Sequence, residues 1–196
     1  DCLKSFAARP DGSLEWQFEV PAGQGKLAHL QIVFRMIQGR NAVRIEAHRQ
    51  RARPDSEDFD DSSPVKVILR PDIEDRTNHS KTKAYAGPEA NWGRAVAYRP
   101  DGFDFAPAPD RRLSVRVAPG AFTPEPEWVY MVSHPHDAGR GFDGASDLFS
   151  PGFITIELNG GQSASVTAEI VTEAGPRPGS PAPPTPAQAT GERAEI

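Results

Sequence analysis

Apolar and polar residues alternate along most of the chain, as they do in β-strands with one buried face. In residues 14–20 the apolar positions are 14, 16, 18 and 20, and glutamate or glutamine lies between them. Similar runs rich in β-branched and aromatic residues predict further strands at residues 28–37, 42–47, 65–69, 92–98, 103–105, 113–117, 128–132, 153–158 and 162–171. No stretch has a capped apolar period of about 3.6 residues, so little helix is expected. Roughly eleven short strands punctuated by Gly and Pro predict an all-β protein, an antiparallel and supersandwich-like β-sandwich.

Three stretches refine this picture. Residues 128–132 (WVYMV) are continuously apolar and predict a buried strand, and we expect Trp16 and Trp128 in the core. Residues 50–64 are charged and nearly without apolar groups, which predicts a solvated, mobile loop. Residues 133–152 contain two His, three Asp, one Arg and four Gly between two strands. Connections of about twenty residues are unusual in compact domains and are often functional, so a binding site is expected here.

Composition and charge exclude several classes of partner. The net charge is −5 with a pI near 5.6, and basic residues are scattered among acidic ones, which argues against nucleic acid and anionic membranes. Cys2 is the single cysteine, so an internal disulfide is excluded and a reducing, cytoplasmic compartment is expected. No segment approaches the roughly 20 apolar residues of a membrane span, and no signal peptide is visible.

The end of the chain differs from its body. We expect a β-sandwich domain over residues 1–174, since the length suits one domain. Residues 175–196 (GPRPGSPAPPTPAQATGERAEI) predict an extended, semi-rigid Pro/Ala-rich linker. A linker there predicts another domain beyond it, and the start at Asp1 without Met indicates a piece of a longer protein.

Several short patterns occur in a fixed order along the body. The first is a strand that contains Trp16. It is followed by a basic and apolar strand at residues 28–37 and by a Gly-x-Asn-x-Val turn at residues 39–43. Next, a strand ends in Arg-Pro at residues 69–71. A segment similar to Arg-Asp-x-His follows at residues 75–79. A last block places polar residues at offsets that no periodicity explains: Asp137, Arg140-Gly141, Asp143, Asp147-Leu148 and Pro151-Gly152-Phe153.

These patterns resemble the N-terminal domain of bacterial and archaeal glycogen debranching enzymes (amylo-α-1,6-glucosidases) over about residues 3–172. Asp137 stands where that family usually has Glu, Ser146 stands where Glu is common, and an Asn-Gly-x-Gly-Gly run is absent. The resemblance implies a β-sandwich that precedes an (α/α)-barrel glycosidase domain. It also implies that the hydrolytic carboxylates belong to the barrel, while the sandwich packs on it and helps to shape the α-glucan site.

The acids of the last block admit two readings. Glycoside hydrolysis needs two carboxyl groups about 5 Å or 6.5–9.5 Å apart, and Asp137, Asp143 and Asp147 are of the right type. Alternatively, they accept backbone N–H bonds in a Gly-rich turn and pair with Arg140. Arg140 itself either binds sugar hydroxyls or forms a buried pair with an aspartate that fixes the long turn.

The remaining candidates are a histidine pair and several aromatic rings. His134 and His136, with Asp137, have the spacing of metal ligands, but no Cys or further His is nearby in sequence, so no metal and no cofactor are expected. Exposed rings stack on sugar faces, which makes Tyr85, Tyr98 and Trp92 candidates, with a core position for Trp92 as the alternative. Arg76 and His79 either line a site beside them or belong to a plain surface loop. The candidate substrate-binding set is Arg76, His79, Trp92, Asp137, Arg140, Asp143 and Asp147.

Three hypotheses follow for function. The leading one is a non-catalytic domain of a glycogen-debranching-type glycosidase, with α-glucan and a downstream catalytic domain as partners. The second is a free-standing carbohydrate-binding or protein-interaction sandwich. The third is a hydrolase that uses Asp143 or Asp147 itself.

Overall fold

The computed structural model describes residues 2–54, 56–77 and 80–172. Their strands are β1 (Leu3–Ala8), β2 (Leu14–Gly23), β3 (Lys26–Met36), β4 (Ala42–Arg49), β5 (Val65–Leu69), β6 (Val96–Arg99), β7 (Gly102–Ala108), β8 (Arg111–Ala118), β9 (Ala121–Ser133), β10 (Ala145–Leu158) and β11 (Ser163–Thr172). Helix is confined to short pieces: α1 (Pro88–Asn91), α2 (Pro135–Ala138) and the 3₁₀ turns Ala84–Ala86 and Trp92–Ala95. None of the described helices has the length and apolarity that crossing a membrane requires.

The strands form two antiparallel sheets, which confirms the predicted fold class. The larger sheet has eight strands in the order β1-β2-β3-β4-β11-β8-β7-β6, and the smaller has three in the order β5-β10-β9. Apolar side chains from both sheets meet in one core that includes Phe103, Val115 and Val166 of the larger sheet and Phe149 and Ile156 of the smaller. The Pro/Ala-rich segment 175–196 lies outside the described residues.

The position of a strand in its sheet explains two wrong burial predictions. Residues 128–132 do lie in β9, but β9 is an edge strand of the smaller sheet, and Val129, Tyr130 and Met131 are exposed. Trp128 packs against the core as expected. Trp16 is only half-buried and contacts the exposed ring of Phe6 at 5.1 Å, because β2 lies next to the outermost strand of the larger sheet.

Most described residues of the charged stretch 50–64 are exposed, as predicted for a solvated loop, but the stretch is also attached to the core. Arg49 is 1 % exposed, and its guanidinium donates to the carbonyls of Phe59 at 2.9 Å, Asp60 at 2.7 Å, Leu158 at 3.1 Å and Ser63. One buried arginine thus satisfies four backbone acceptors and ties this loop to the end of β10.

The predicted connection 133–152 is shorter than expected. It comprises α2 and a turn, and β10 already begins at Ala145. Asp147 therefore belongs to a strand, with Ser146 and Leu148 on either side paired with Val132 and Val129 of β9. The register shifts by one residue between these two pairs, which marks a β-bulge beside Asp147.

Candidate functional site

The last block of the sequence forms one polar cluster with a segment that sequence reasoning had not connected to it. We call it the lysine–aspartate cluster, and it consists of Lys81, Lys83, Asp137, Asp143 and Asp147. The lysines come from the chain that precedes the first 3₁₀ turn, and the aspartates come from α2, the following turn and the start of β10. Two stretches distant in sequence, residues 81–83 and 137–147, therefore share one site.

Asp147 is the buried member of the cluster, only 5 % exposed. Its Oδ1 accepts the N–H of Met131 at 2.9 Å, and its Oδ2 accepts the N–H of Ala84 at 2.8 Å. The N–H of Asp147 in turn donates to the carbonyl of Thr82 at 2.9 Å. Because these backbone N–H groups favour the charged form, they lower the pKa of the Asp147 carboxyl. Asp147 therefore joins segment 82–84 to the β9–β10 bulge.

Asp137 and Asp143 each have a lysine partner. Lys81 donates to Asp137, and this hydrogen bond lowers the pKa of the Asp137 carboxyl. Lys83 lies 2.9 Å from Oδ2 of Asp143 and also donates to the carbonyl of Ala145. The bonds from Lys83 and from the N–H of Ala145 lower the pKa of the Asp143 carboxyl.

The arrangement favours the structural reading of these acids over the catalytic one. A glycosidase needs one carboxyl group that stays protonated near neutral pH to act as the general acid. All three aspartates have a pKa shifted in the opposite direction, and each already accepts bonds from a lysine or from backbone N–H groups. The cluster has the chemistry of a structural tie and offers no acid and base pair.

Arg140 does not form the predicted buried pair. Its side chain is exposed, while the two aspartates nearest in sequence, Asp137 and Asp143, are paired with Lys81 and Lys83 instead. The charge of Arg140 only adds to the lowering of the Asp137 pKa. The guanidinium is therefore placed on the surface, beside the cluster.

The two histidines have different surroundings. The Nε2 of His134 lies 2.7 Å from the hydroxyl of the buried Ser146, whereas His136 is exposed on α2. Within residues 2–54, 56–77 and 80–172, no group of three or more His, Cys, Asp or Glu side chains is arranged to hold a metal ion.

The aromatic candidates separate into core and surface. Trp92 is 7 % exposed and stacks on Trp128 with ring centroids 5.5 Å apart, so its ring takes the core position and does not offer a platform to a sugar. Tyr98 stacks on Phe122 at 6.2 Å. Tyr85 is 82 % exposed, next to Ala84, whose N–H is bound by Asp147.

A second exposed tyrosine lies on the same side. Tyr130 precedes Met131 in β9, and its hydroxyl donates to Glu89 of α1 at 2.6 Å, which raises the pKa of the phenol. Because Asp147 joins Ala84 to Met131, Tyr85 and Tyr130 flank the same tie. Sequence reasoning missed Tyr130 because its apolar neighbours suggested a buried strand.

Arg76 and His79 have different outcomes. Arg76 donates to Glu74 at 3.0 Å and to the carbonyl of Ser80 at 3.0 Å, so it braces its own loop. His79 lies outside the described residues.

A concavity lies away from the lysine–aspartate cluster, and no sequence motif pointed to it. It is a groove of about 870 Å³ on the face of the larger sheet that is turned away from the core. Its walls are mainly polar and include Arg9, Glu15, Gln31, Arg35, Glu46 and His48. The available signal is the polar half of the alternation in β2, β3 and β4.

The two-sheet architecture with its short helical insertions defines an antiparallel β-sandwich domain. The sequence matches the family described as "Glycogen debranching enzyme N terminal" over residues 1–165. The chain belongs to this family, as the resemblance had indicated. No curated protein matches the chain.

Proposed function

We propose that this chain is a non-catalytic N-terminal domain of a glycogen-debranching-type glycoside hydrolase. In this role it assists α-glucan binding and packs on the (α/α)-barrel catalytic domain of the same polypeptide, in the cytoplasm. The family membership supports the context. The observation that carries the non-catalytic part is that a lysine or backbone N–H groups lower the pKa of every aspartate in the lysine–aspartate cluster and so favour its ionised form.

The glucan contact is assigned to the surface around that cluster. Tyr85 and Tyr130 expose aromatic rings there, and Arg140 supplies a planar donor group. An aromatic face packs on the apolar face of a pyranose ring, while a guanidinium donates to hydroxyls. The rigid backbone tie through Asp147 fixes the residues next to both tyrosines.

A titration tests the glucan part. Isothermal titration of the chain with maltoheptaose should show binding that Tyr85→Ala weakens by about tenfold, since a stacked ring is lost. Phe6→Ala is the matched control because Phe6 is also an exposed ring, but it lies on β1, the edge strand of the larger sheet, whereas the cluster lies at β9 and β10 of the smaller sheet. No heat at millimolar sugar would remove the glucan role and leave only docking.

The docking part is assigned to a different surface, on the larger sheet. Phe6 and Met36 are exposed on the apolar side of the larger sheet, and Trp16 beside Phe6 is half-buried. Exposed apolar side chains on one face of a sheet are suited to packing against a partner domain. Sedimentation of the chain mixed with its downstream catalytic domain should show a complex that Phe6→Ala and Met36→Ala weaken and Tyr85→Ala leaves intact. A complex unaffected by the first two variants would contradict this assignment.

A further inference from the structure

Two rows of side chains form the floor of the groove in the larger sheet. Strand pairing aligns Glu15, Val33, Glu46, Ser165 and Ala118 across β2, β3, β4, β11 and β8. Since neighbouring strands lie ~4.8 Å apart, this row runs for roughly 19 Å across the strands. The volume of about 870 Å³ is in the range of ligand pockets.

A second row lies beside the first. Pairing aligns Gln17, Gln31, His48 and Ser163, two residues along each strand and therefore on the same face. The Nδ1 of His48 lies 2.8 Å from the Ser163 hydroxyl, so the opposite ring nitrogen, Nε2, is directed away from that partner. The floor thus carries amide, imidazole and hydroxyl groups in register, and the Gln17 and Gln31 amides also hydrogen-bond to Glu15.

The charges of the groove are already paired with each other. Arg9 donates to the buried Glu15 through Nε at 3.1 Å and Nη2 at 2.5 Å, and Gln17 donates to the other oxygen of Glu15 at 2.9 Å. Arg35 donates to Glu46 at 2.8 Å. An ionic ligand would have to compete with these pairs, whereas a neutral ligand with many hydroxyls can use the remaining donors and lone pairs.

We propose that this groove is a second glucan-binding site, which takes a neutral segment of the polymer along the two rows. The inference rests on the proposed function, because it assigns that function's substrate class to a separate surface. A long polymer could contact both sites at once, which raises its overall affinity without any new contact at the first site.

The test is an NMR titration of the isotope-labelled chain with maltoheptaose. Backbone amides near residues 15, 31–33, 46–48 and 163–165 should shift on addition of sugar. Gln31→Ala and His48→Ala should each weaken the affinity derived from these shifts by about fivefold, as expected for one lost hydrogen bond. His136→Ala is the matched control, because that histidine is exposed on α2 and outside the groove.

The outcomes separate this inference from the proposed function. Shifts only around Tyr85 and Arg140 would overturn the groove site and leave the proposed function standing. No shifts anywhere at millimolar sugar would overturn both glucan contacts. A titration with inorganic phosphate serves as the charged comparison, and groove shifts that are larger with phosphate than with sugar would overturn the neutral-ligand inference.

Discussion

The Asp147 carboxylate accepts the backbone N–H of Met131 at 2.9 Å, and Met131 has a backbone φ of 58°. A positive φ is uncommon for a residue other than glycine and costs about 1–2 kcal/mol per residue. The structure holds Met131 in this conformation at the bulge between β9 and β10. The strained residue and the buried acid thus form one structural unit, which positions Tyr130 beside it.

We expect the Asp147→Ala variant to lose about 2–4 kcal/mol of unfolding free energy, because two backbone N–H groups lose their acceptor. Asp147→Asn should lose less, since it keeps one acceptor oxygen. Urea unfolding measures both. Asp143→Ala is the control, because Asp143 is exposed and its pair with Lys83 is a solvent-screened surface ion pair that contributes little to stability. Equal losses for Asp147→Ala and Asp143→Ala would contradict the structural role of Asp147.

Acid should destabilise the domain through the same carboxylates. Hydrogen bonds from backbone N–H groups lower the pKa of the Asp147 carboxyl. A hydrogen bond from the Arg53 guanidinium lowers the pKa of the Asp58 carboxyl. Groups with a lowered folded-state pKa stabilise the fold above the unfolded pKa of about 3.9, and this contribution is lost as the pH falls through the folded pKa. Unfolding free energy should therefore fall below about pH 4. Asp58→Asn should flatten this dependence, and an unchanged slope would contradict the shift.

Close packing of two strands explains why the Pro151-Gly152-Phe153 pattern has a glycine at its centre. Gly152 has a φ of 151°, and a Cβ added there would lie 2.2 Å from the carbonyl oxygen of Thr123. Gly152→Ala should therefore cost about 2–4 kcal/mol, because the clash is with backbone on the paired strand. Gly93→Ala is the control, since no atom lies within 4 Å of the Cβ position there. Thermal unfolding of both variants checks the difference.

Arg49 should be essential for the order of residues 50–64. Arg49→Met leaves its backbone acceptors without a donor and should cost about 3 kcal/mol or more. Arg49→Lys should recover only part of this loss, because an ammonium lacks the planar fork of a guanidinium. Arg51→Met, with 77 % of its side chain exposed, should have little effect. Hydrogen exchange of the amides in segment 56–63 reports whether the loop opens in the first variant only.

Local alternation was sufficient to predict the sheets, because one buried face per strand leaves a period of two in the sequence. It could not distinguish an edge strand from a central one, so the apolar residues Val129 to Met131 were predicted to be buried. It also missed β1, whose residues are all exposed and show no burial pattern. The core position of Trp92 depends on a 3₁₀ turn, which no periodic pattern of apolar residues in the sequence predicts.

The site was predictable only in part. The block from Asp137 to Asp147 was correctly predicted to be one polar region, but its lysine partners are more than 50 residues away in sequence. A partner at that distance follows from the fold and has no local signal. The groove was missed for the same reason, since Glu15, Glu46 and Ser165 become neighbours only through strand pairing.

The central claim is that this domain contacts an α-glucan without cleaving it. Proton NMR of a branched maltooligosaccharide, followed overnight in the presence of the purified chain, tests both parts in one measurement. We expect the sugar resonances to broaden or shift on binding while the reducing-end anomeric signals keep a constant intensity. Reducing-end signals that grow with time, and that Asp147→Asn or Asp143→Asn abolishes, would contradict the claim, as would sugar resonances unchanged at millimolar protein.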